Sequence, residues 1–233
     1  MMSDNDRTRQ SVQIVEDLTT SLADRIANGE FPLGTWMRQA KVAQDYGVSR
    51  TPASLALSRL EAMGVLERVP NRGFRVRYPS LQEIMELFEV RAVLEGHAAY
   101  RAASRITEAQ LQQLWDQVAG LRWVVQMIRD GADPEAVGAP WQQSFSTFHR
   151  VVFEAAGNRQ LHEAADALYR KLPRKISWRV LRGDPRSLAQ HADEHEHIAK
   201  AIETRDGAKA RELTVAHIEA ARELIFAHLP IPD

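Results

Sequence analysis

Between residues 8 and 28 the apolar positions Val12, Val15, Leu18, Leu22 and Ile26 recur at steps of three and four, which places them on one face of a helix. Gly29 comes next as a stop, and Phe31-Pro32-Leu33-Gly34 reads as a turn. Two shorter helical patterns come after it, over residues 38–46 and 51–63, separated by Gly47-Val48-Ser49-Arg50. The period then changes. Val65-Leu66-Glu67-Arg68-Val69 and Gly73-Phe74-Arg75-Val76-Arg77 are short β-type runs joined by Pro70-Asn71-Arg72, which predicts a hairpin with a basic tip. A helix-turn-helix with such a hairpin behind it is the outline of a winged helix.

Tyr78-Pro79-Ser80 closes this segment, because proline disfavours helix in the residue before it and Ser80 is a good N-cap for a helix beginning at residue 81. Beyond it the helical period dominates, with candidate helices over residues 81–105, 107–130, 140–156, 161–170, 177–181, 185–204 and 207–227 and no convincing strand among them. The connections at Gly131-Ala132-Asp133-Pro134, Gly157-Asn158, Leu172-Pro173, Gly183-Asp184-Pro185 and Arg205-Asp206-Gly207 are short and rich in turn formers. The expected fold is mainly α: a winged helix-turn-helix with a small β-hairpin wing in residues 1–78, then an all-α antiparallel helical bundle in residues 79–233.

A length of 233 residues suits two such domains. The charged fraction of 26% and hydrophobic fraction of 44% belong to an ordinary globular chain, so both halves should fold. Formal net charge is -1, with +2 in residues 1–78 and -3 in the remainder, so any affinity for nucleic acid must be local. The absence of cysteine excludes disulfides and thiolate metal sites. No apolar run approaches the roughly 18 residues of a membrane span, and the polar residues 1–10 do not read as an export signal. A cytoplasmic protein with no membrane partner is expected.

The second helix of a helix-turn-helix enters the major groove with small polar and cationic residues at its N-terminal end. Here that end is Ser49-Arg50-Thr51-Pro52. Pro52 falls in the first turn, where a helix tolerates proline, Ser49 stands where it can cap the helix, and the Ser49 and Thr51 hydroxyls are close enough to touch phosphate. Alone, such a segment could equally begin an ordinary bundle helix. The hairpin favours DNA, because Asn71-Arg72-Gly73 puts a cation and a flexible glycine at a tip where a wing meets the backbone or minor groove.

Of the eight histidines, helical phase turns several inward. His149 shares a face with Phe145, Phe148, Val152 and Phe153; His191 and His195 with Ile198 and Ile202; His217 with Leu213, Ala221 and Leu224. His197 falls out of phase. Each inward histidine can be a core residue satisfied by a carbonyl or carboxylate. If His149, His195 and His217 converge from their three helices, they instead form a site for zinc, nickel, copper or iron, with an open position for water or a ligand carboxylate. Arg91 and Glu95, four apart beside Ile84, Phe88 and Ala92, are either a plain helical salt bridge or, through the planar fork of Arg91, a carboxylate-binding pair. A metal-dependent hydrolase would need a general base beside the metal. Glu194, adjacent to His195, is expected to point elsewhere, so an enzyme is not expected.

The segments Val42-Ala43, Tyr46-Gly47-Val48-Ser49-Arg50-Thr51-Pro52, Ala56-Leu57, Arg59-Leu60-Glu61, Gly64-Val65 and Pro70-Asn71-Arg72-Gly73-Phe74-Arg75-Val76 closely resemble the GntR family of winged-helix regulators, over about residues 10–78. The resemblance implies a homodimer on pseudo-palindromic, double-stranded operator DNA. It also implies that Ser49, Arg50 and Thr51 contact the operator from the second helix, and Arg72 and Gly73 from the wing. Two departures bear on base reading. Ser54 and Leu55 stand where the family usually has an arginine and then a glutamate, and Ala40 stands where a polar or charged residue often contacts DNA.

Further along, Glu89-Val90-Arg91 with Leu94-Glu95, Phe148-His149 before Ala155-Ala156-Gly157-Asn158, Glu194-His195 with Ile198, Ala201-Ile202, Arg205-Asp206 and Ala210, and then His217 resemble the FCD effector domain of the FadR subfamily, over about residues 81–225. This implies a metabolite-responsive regulator, expected to be a repressor, whose effector is a small organic acid or related carboxylate bound by Arg91. It also implies a divalent transition metal, zinc or nickel, held by His149, His195 and His217. In metal-binding members an aspartate four residues before the first histidine joins the ligands, and here that position is Phe145. The resemblance therefore leaves open a three-histidine metal site, a metal-free apolar effector pocket, and a C-terminal domain that only dimerises.

Overall fold

The structure is a computed structural model that describes residues 4–27, 29–171 and 176–228. Its backbone falls into two compact units, the first holding the described residues up to Pro79 together with 169–171 and the second those from Ser80 to Leu168 and from 176 onward. The first contains α1 (Asp4–Ala27), α2 (Gln39–Asp45), α3 (Arg50–Ala62) and an antiparallel sheet of order β1-β3-β2, formed by β1 (Trp36–Met37), β2 (Leu66–Val69) and β3 (Gly73–Val76). Alternation along β3 sends Phe74 and Val76 inward, where they join Met37, Leu66, Leu18, Leu22, Leu57 and Leu60 in one apolar core. On the other face Arg75 lies opposite Glu67, and its Nε donates to Glu67 Oε1 at 2.6 Å.

Strand β1 is an element that periodicity did not predict, since two residues carry no alternation. The turn before it makes the pairing: Gly34, at φ +82°, donates its N–H to the Val76 carbonyl at 2.9 Å, and Val76 donates to the Thr35 carbonyl at 2.9 Å. A side chain at Gly34 would run into the Tyr78 ring, whose hydroxyl donates to the Leu33 carbonyl at 2.8 Å.

The elements of the second unit, among the described residues, are all helices: α4 (Leu81–Arg105), α5 (Glu108–Arg129), α6 (Pro134–Ala156), α7 (Arg159–Tyr169), α8 (Ile176–Leu181), α9 (Pro185–Glu203) and α10 (Gly207–His228). Helix α4 lies along α10 and against α6 and α9, while α5 packs on α6 and α9. Ser80 begins α4 with a full capping box, its hydroxyl accepting from the Glu83 N–H while the Glu83 carboxylate accepts from the Ser80 N–H. Thr107 and Gln110 repeat the device at α5.

Helix α6 corrects the sequence expectation at its start, which lies six residues earlier than Pro140. Asp133 and Pro134, expected in a turn, are the N-cap and first residue: Asp133 accepts from the Glu135 N–H at 3.0 Å, and proline at the first position lacks only an N–H that would have no helical partner. Pro140 is carried inside the helix. The added residues put Val137 into one apolar cluster with Trp141, Trp178, Leu121, Leu181 and Leu188. The Leu172-Pro173 connection lies outside the described residues. No helix among the described residues is long and apolar enough to cross a membrane.

Candidate DNA-reading surface and histidine centre

Ala53, Ala56, Leu57 and Leu60 bury one face of α3, which leaves Ser49, Arg50 and Thr51 exposed at the start of the helix. Gly47, at φ +64°, makes the turn from α2. Ser49 stands at the N-cap with extended backbone, but its hydroxyl makes no capping hydrogen bond, contrary to the expectation that it could cap the helix. At the β2–β3 turn Asn71 and Gly73 both adopt positive φ, 60° and 101°, with Arg72 exposed between them.

The cations of this unit divide into two kinds. Arg68 is tied to Glu61 at 3.1 Å and Arg75 to Glu67, whereas Arg50 and Arg72 enter none of the ion pairs among the described residues. A solvated, unpaired arginine can approach a phosphate without first giving up a protein partner. The departures from the family pattern are also in view: Leu55 is 50% exposed, Ala40 is exposed, and the Ser54 hydroxyl accepts from Gln39 Nε2 at 3.0 Å.

Inside the second unit, His149 on α6, His195 on α9 and His217 on α10 converge, with one ring nitrogen from each lying within 4.8 Å of the others and all three side chains buried. Each ring is held by its Nδ1. His149 Nδ1 pairs with Glu95 Oε2 at 2.9 Å, His195 Nδ1 donates to the His191 carbonyl at 2.7 Å, and His217 Nδ1 donates to Glu194 Oε2 at 2.8 Å. With the protons on Nδ1, the three Nε2 lone pairs are left, and these atoms are buried without a hydrogen-bond partner. Imidazoles oriented through one nitrogen by carboxylates or carbonyls, with the other nitrogen unengaged, are the donor arrangement of metal-binding histidines. Burial, the largest cause, pushes His149 below the ordinary imidazole range and His195 well below it, the latter helped by the neighbouring His217 and His149. Both rings are thereby kept neutral, the form that binds a metal.

Two expectations change here. Glu194 does not point elsewhere, since it holds His217 from the neighbouring helix. It does so as an anchor on Nδ1, away from the open nitrogen. Arg91 and Glu95 do form the i, i+4 pair, Nε to Oε1 at 2.8 Å, but the pair is buried, at 6% and 2% exposure. Glu95 therefore spans Arg91 and His149, and the Arg91 guanidinium lies 4.6 Å over the Phe88 ring. Phe145 packs its ring edge-on against His149, 4.8 Å between centroids, and supplies no oxygen. Helical phase turned His191 inward without assigning it to the cluster. Its ring lies 4.8 Å from that of His195 and 4.5 Å from that of His217, and burial pushes it well below the ordinary range.

Residues 14–76 match the family of bacterial regulatory proteins, gntR family, and residues 86–220, more than half of the chain, match the FCD domain. Over 195 residues the chain is 29% identical to the "Probable D-xylose utilization operon transcriptional repressor" of Paenarthrobacter nicotinovorans, covering 84% of this chain and 81% of that one. It is 25% identical over 222 residues to the HTH-type transcriptional regulator LutR of Bacillus subtilis (strain 168), covering 87% and 97%. Its structure is similar to that of E. coli McbR/YncC, with a TM-score of 0.72 over 97% of this chain and 99% of that one at 19% identity, which is a likeness of fold.

Proposed function

The chain belongs to the GntR family of bacterial regulatory proteins and carries an FCD domain, and on that footing we propose a repressor that reads operator DNA as a homodimer and answers to a small carboxylate. It is a DNA-binding transcriptional regulator and not an enzyme. In this reading residues 1–78 bind DNA and residues 79–233 bind effector and dimerise, a division that the parting of the backbone near Ser80 supports. Ser49, Arg50 and Thr51 contact the operator from α3, and Arg72 and Gly73 from the β2–β3 turn. Their common exposure and the unpaired state of the two arginines support this. Self-association is supported by α4, which leaves Val90, Val93 and Tyr100 at 47%, 62% and 51% exposure, an apolar row that a second copy would cover.

The effector half rests on one observation, the three buried Nε2 atoms of His149, His195 and His217, each on a ring anchored through Nδ1. Such a set fits zinc or nickel, which when bound would offer an open position to a carboxylate oxygen. Glu95 and Glu194 hold the rings, Phe145 and Phe148 exclude water beside them, and Arg91 is the cation assigned to the effector carboxylate. Elemental analysis of the untagged protein, beside the His149→Ala, His195→Ala double variant, tests the reading. Near-stoichiometric metal in the wild type and none in the variant is the expected result; no metal in either after reconstitution overturns it. A second reading, favoured by the Phe145 ring against His149 and His195, is a metal-free apolar pocket. It predicts that effector relief of operator binding in a mobility shift survives chelation.

A further inference from the structure

Helix α3 turns Thr51, Leu55 and Ser58 outward at steps of four and three, opposite the buried Ala53, Ala56 and Leu60. The serines near this side are engaged within the protein: the Ser54 hydroxyl accepts from Gln39 Nε2 and the Ser58 hydroxyl from Arg68 Nη2, each at 3.0 Å. Leu55 is 50% exposed and stands outside the apolar core that Leu57 and Leu60 of the same helix help to build. A single exposed leucine ordinarily needs no explanation. The surroundings of this one supply a reason for it. Arg50 before it and Arg59 after it are both exposed and enter no ion pair among the described residues, and the single carboxylate of α3, Glu61, is held by Arg68 at 3.1 Å. The outward side of α3 thus offers a polyanion two free cations with one bare apolar side chain between them.

Leucine has no hydrogen bond to give or accept, so in a DNA groove only an apolar feature can match it. The base edges of the major groove are hydrogen-bond donors and acceptors throughout, apart from the C5-methyl group of thymine. We propose that Leu55 reads the 5-methyl group of a thymine in the operator half-site. The proposal rests on the reading of α3 as the helix that enters the major groove.

The contact discriminates in both directions. Against thymine, Leu55 and the methyl group cover each other's apolar surface. Against cytosine, the same side chain would press on the N4 amino donor and exclude water from it without offering an acceptor. The helix also restricts where the thymine stands. Leu55 lies four residues beyond Thr51, a rise of about 6 Å, which is less than two steps of roughly 3.4 Å along a DNA strand. The thymine therefore falls within about two base pairs of the contact made by Thr51.

The test uses full-length protein to enrich duplexes from a library of randomised DNA. The enriched duplex is then the probe in fluorescence anisotropy, with each thymine in turn replaced by deoxyuridine, which removes the methyl group and nothing else. At one thymine of a half-site, wild type is expected to lose about fourfold in affinity, the equivalent of one buried carbon. Leu55→Ala and Leu55→Gln should bind the parent duplex more weakly, by at least about the same factor, and should no longer tell it from the deoxyuridine duplex. Wild type indifferent to every deoxyuridine, an enriched duplex without thymine, or a deoxyuridine loss that persists unchanged in both variants would overturn the contact. Arg50→Ala separates this failure from a failure of the helix: if it weakens binding, α3 still reads the operator without Leu55, and if it does not, both readings fall. So they do if no duplex is enriched. Circular dichroism reports whether the variants fold, and the wild-type deoxyuridine series remains decisive if one does not.

Discussion

Arg50 and Arg72 on one side, and His149, His195 and His217 on the other, face opposite problems. The arginines lie in water, which satisfies them at no cost to the fold, so they can stay unpaired until a phosphate arrives. The histidines are out of water, and each keeps one nitrogen unsatisfied only because the other is anchored and the ring is packed. A surface site of the first kind can be rewritten without touching stability. An interior site of the second kind cannot, because its supports, Glu95 above all, are themselves buried parts of the core.

The sharpest way to break that contrast is Glu95→Ala. It strands the buried Arg91 and releases His149, so unfolding stability should drop by about 3–5 kcal/mol in urea denaturation. A loss below about 1 kcal/mol would mean that the pair is not structural. On the surface side, Arg50→Ala should weaken operator binding by about 1–3 kcal/mol if it reads a base, with stability changed by no more than about 0.5 kcal/mol. Fluorescence anisotropy at several salt concentrations separates this from a phosphate contact, whose removal would lower the salt slope by about one. Glu194→Gln should cost metal affinity about 10–100-fold by chelator competition while leaving operator affinity of the apo-protein unchanged. The smallest pair compares two serines at helix starts. Ser80→Ala should lose about 1 kcal/mol with its capping box, whereas Ser49→Ala, which removes no cap, should be near neutral in stability.

How far the sequence could be read depended on whether a signal was local. Helix α4 was legible to the residue because Pro79, Ser80 and Glu83 stop one element and cap the next within five positions. The start of α6 was misread because Asp133-Pro134 is both a turn signal and a cap with a first-position proline behind it, and the burial of Val137 that decides between them comes from an apolar cluster that includes Trp178 on another helix. Strand β1 exists through its pairing with β3. The same divide runs through the histidine centre. Phase within one helix placed His149, His195 and His217 inward, but Glu194 lies at the edge of the buried face, with 23% of its side chain exposed, and its direction is set by His217 on α10. Single-helix periodicity carries no record of that partner.

The three histidine anchors differ in chemical kind, and so in how mutation can reach them. Glu95 and Glu194 hold their rings with side chains, so one base change in either codon can remove the support for His149 or His217. His195 is held by the main-chain oxygen of residue 191, which every amino acid possesses. Substitution at that position can change what the side chain offers but cannot delete the acceptor while α9 stays wound. The orientation of His195 is thus inherited with the helix itself, and random point mutation will loosen the other two rings first.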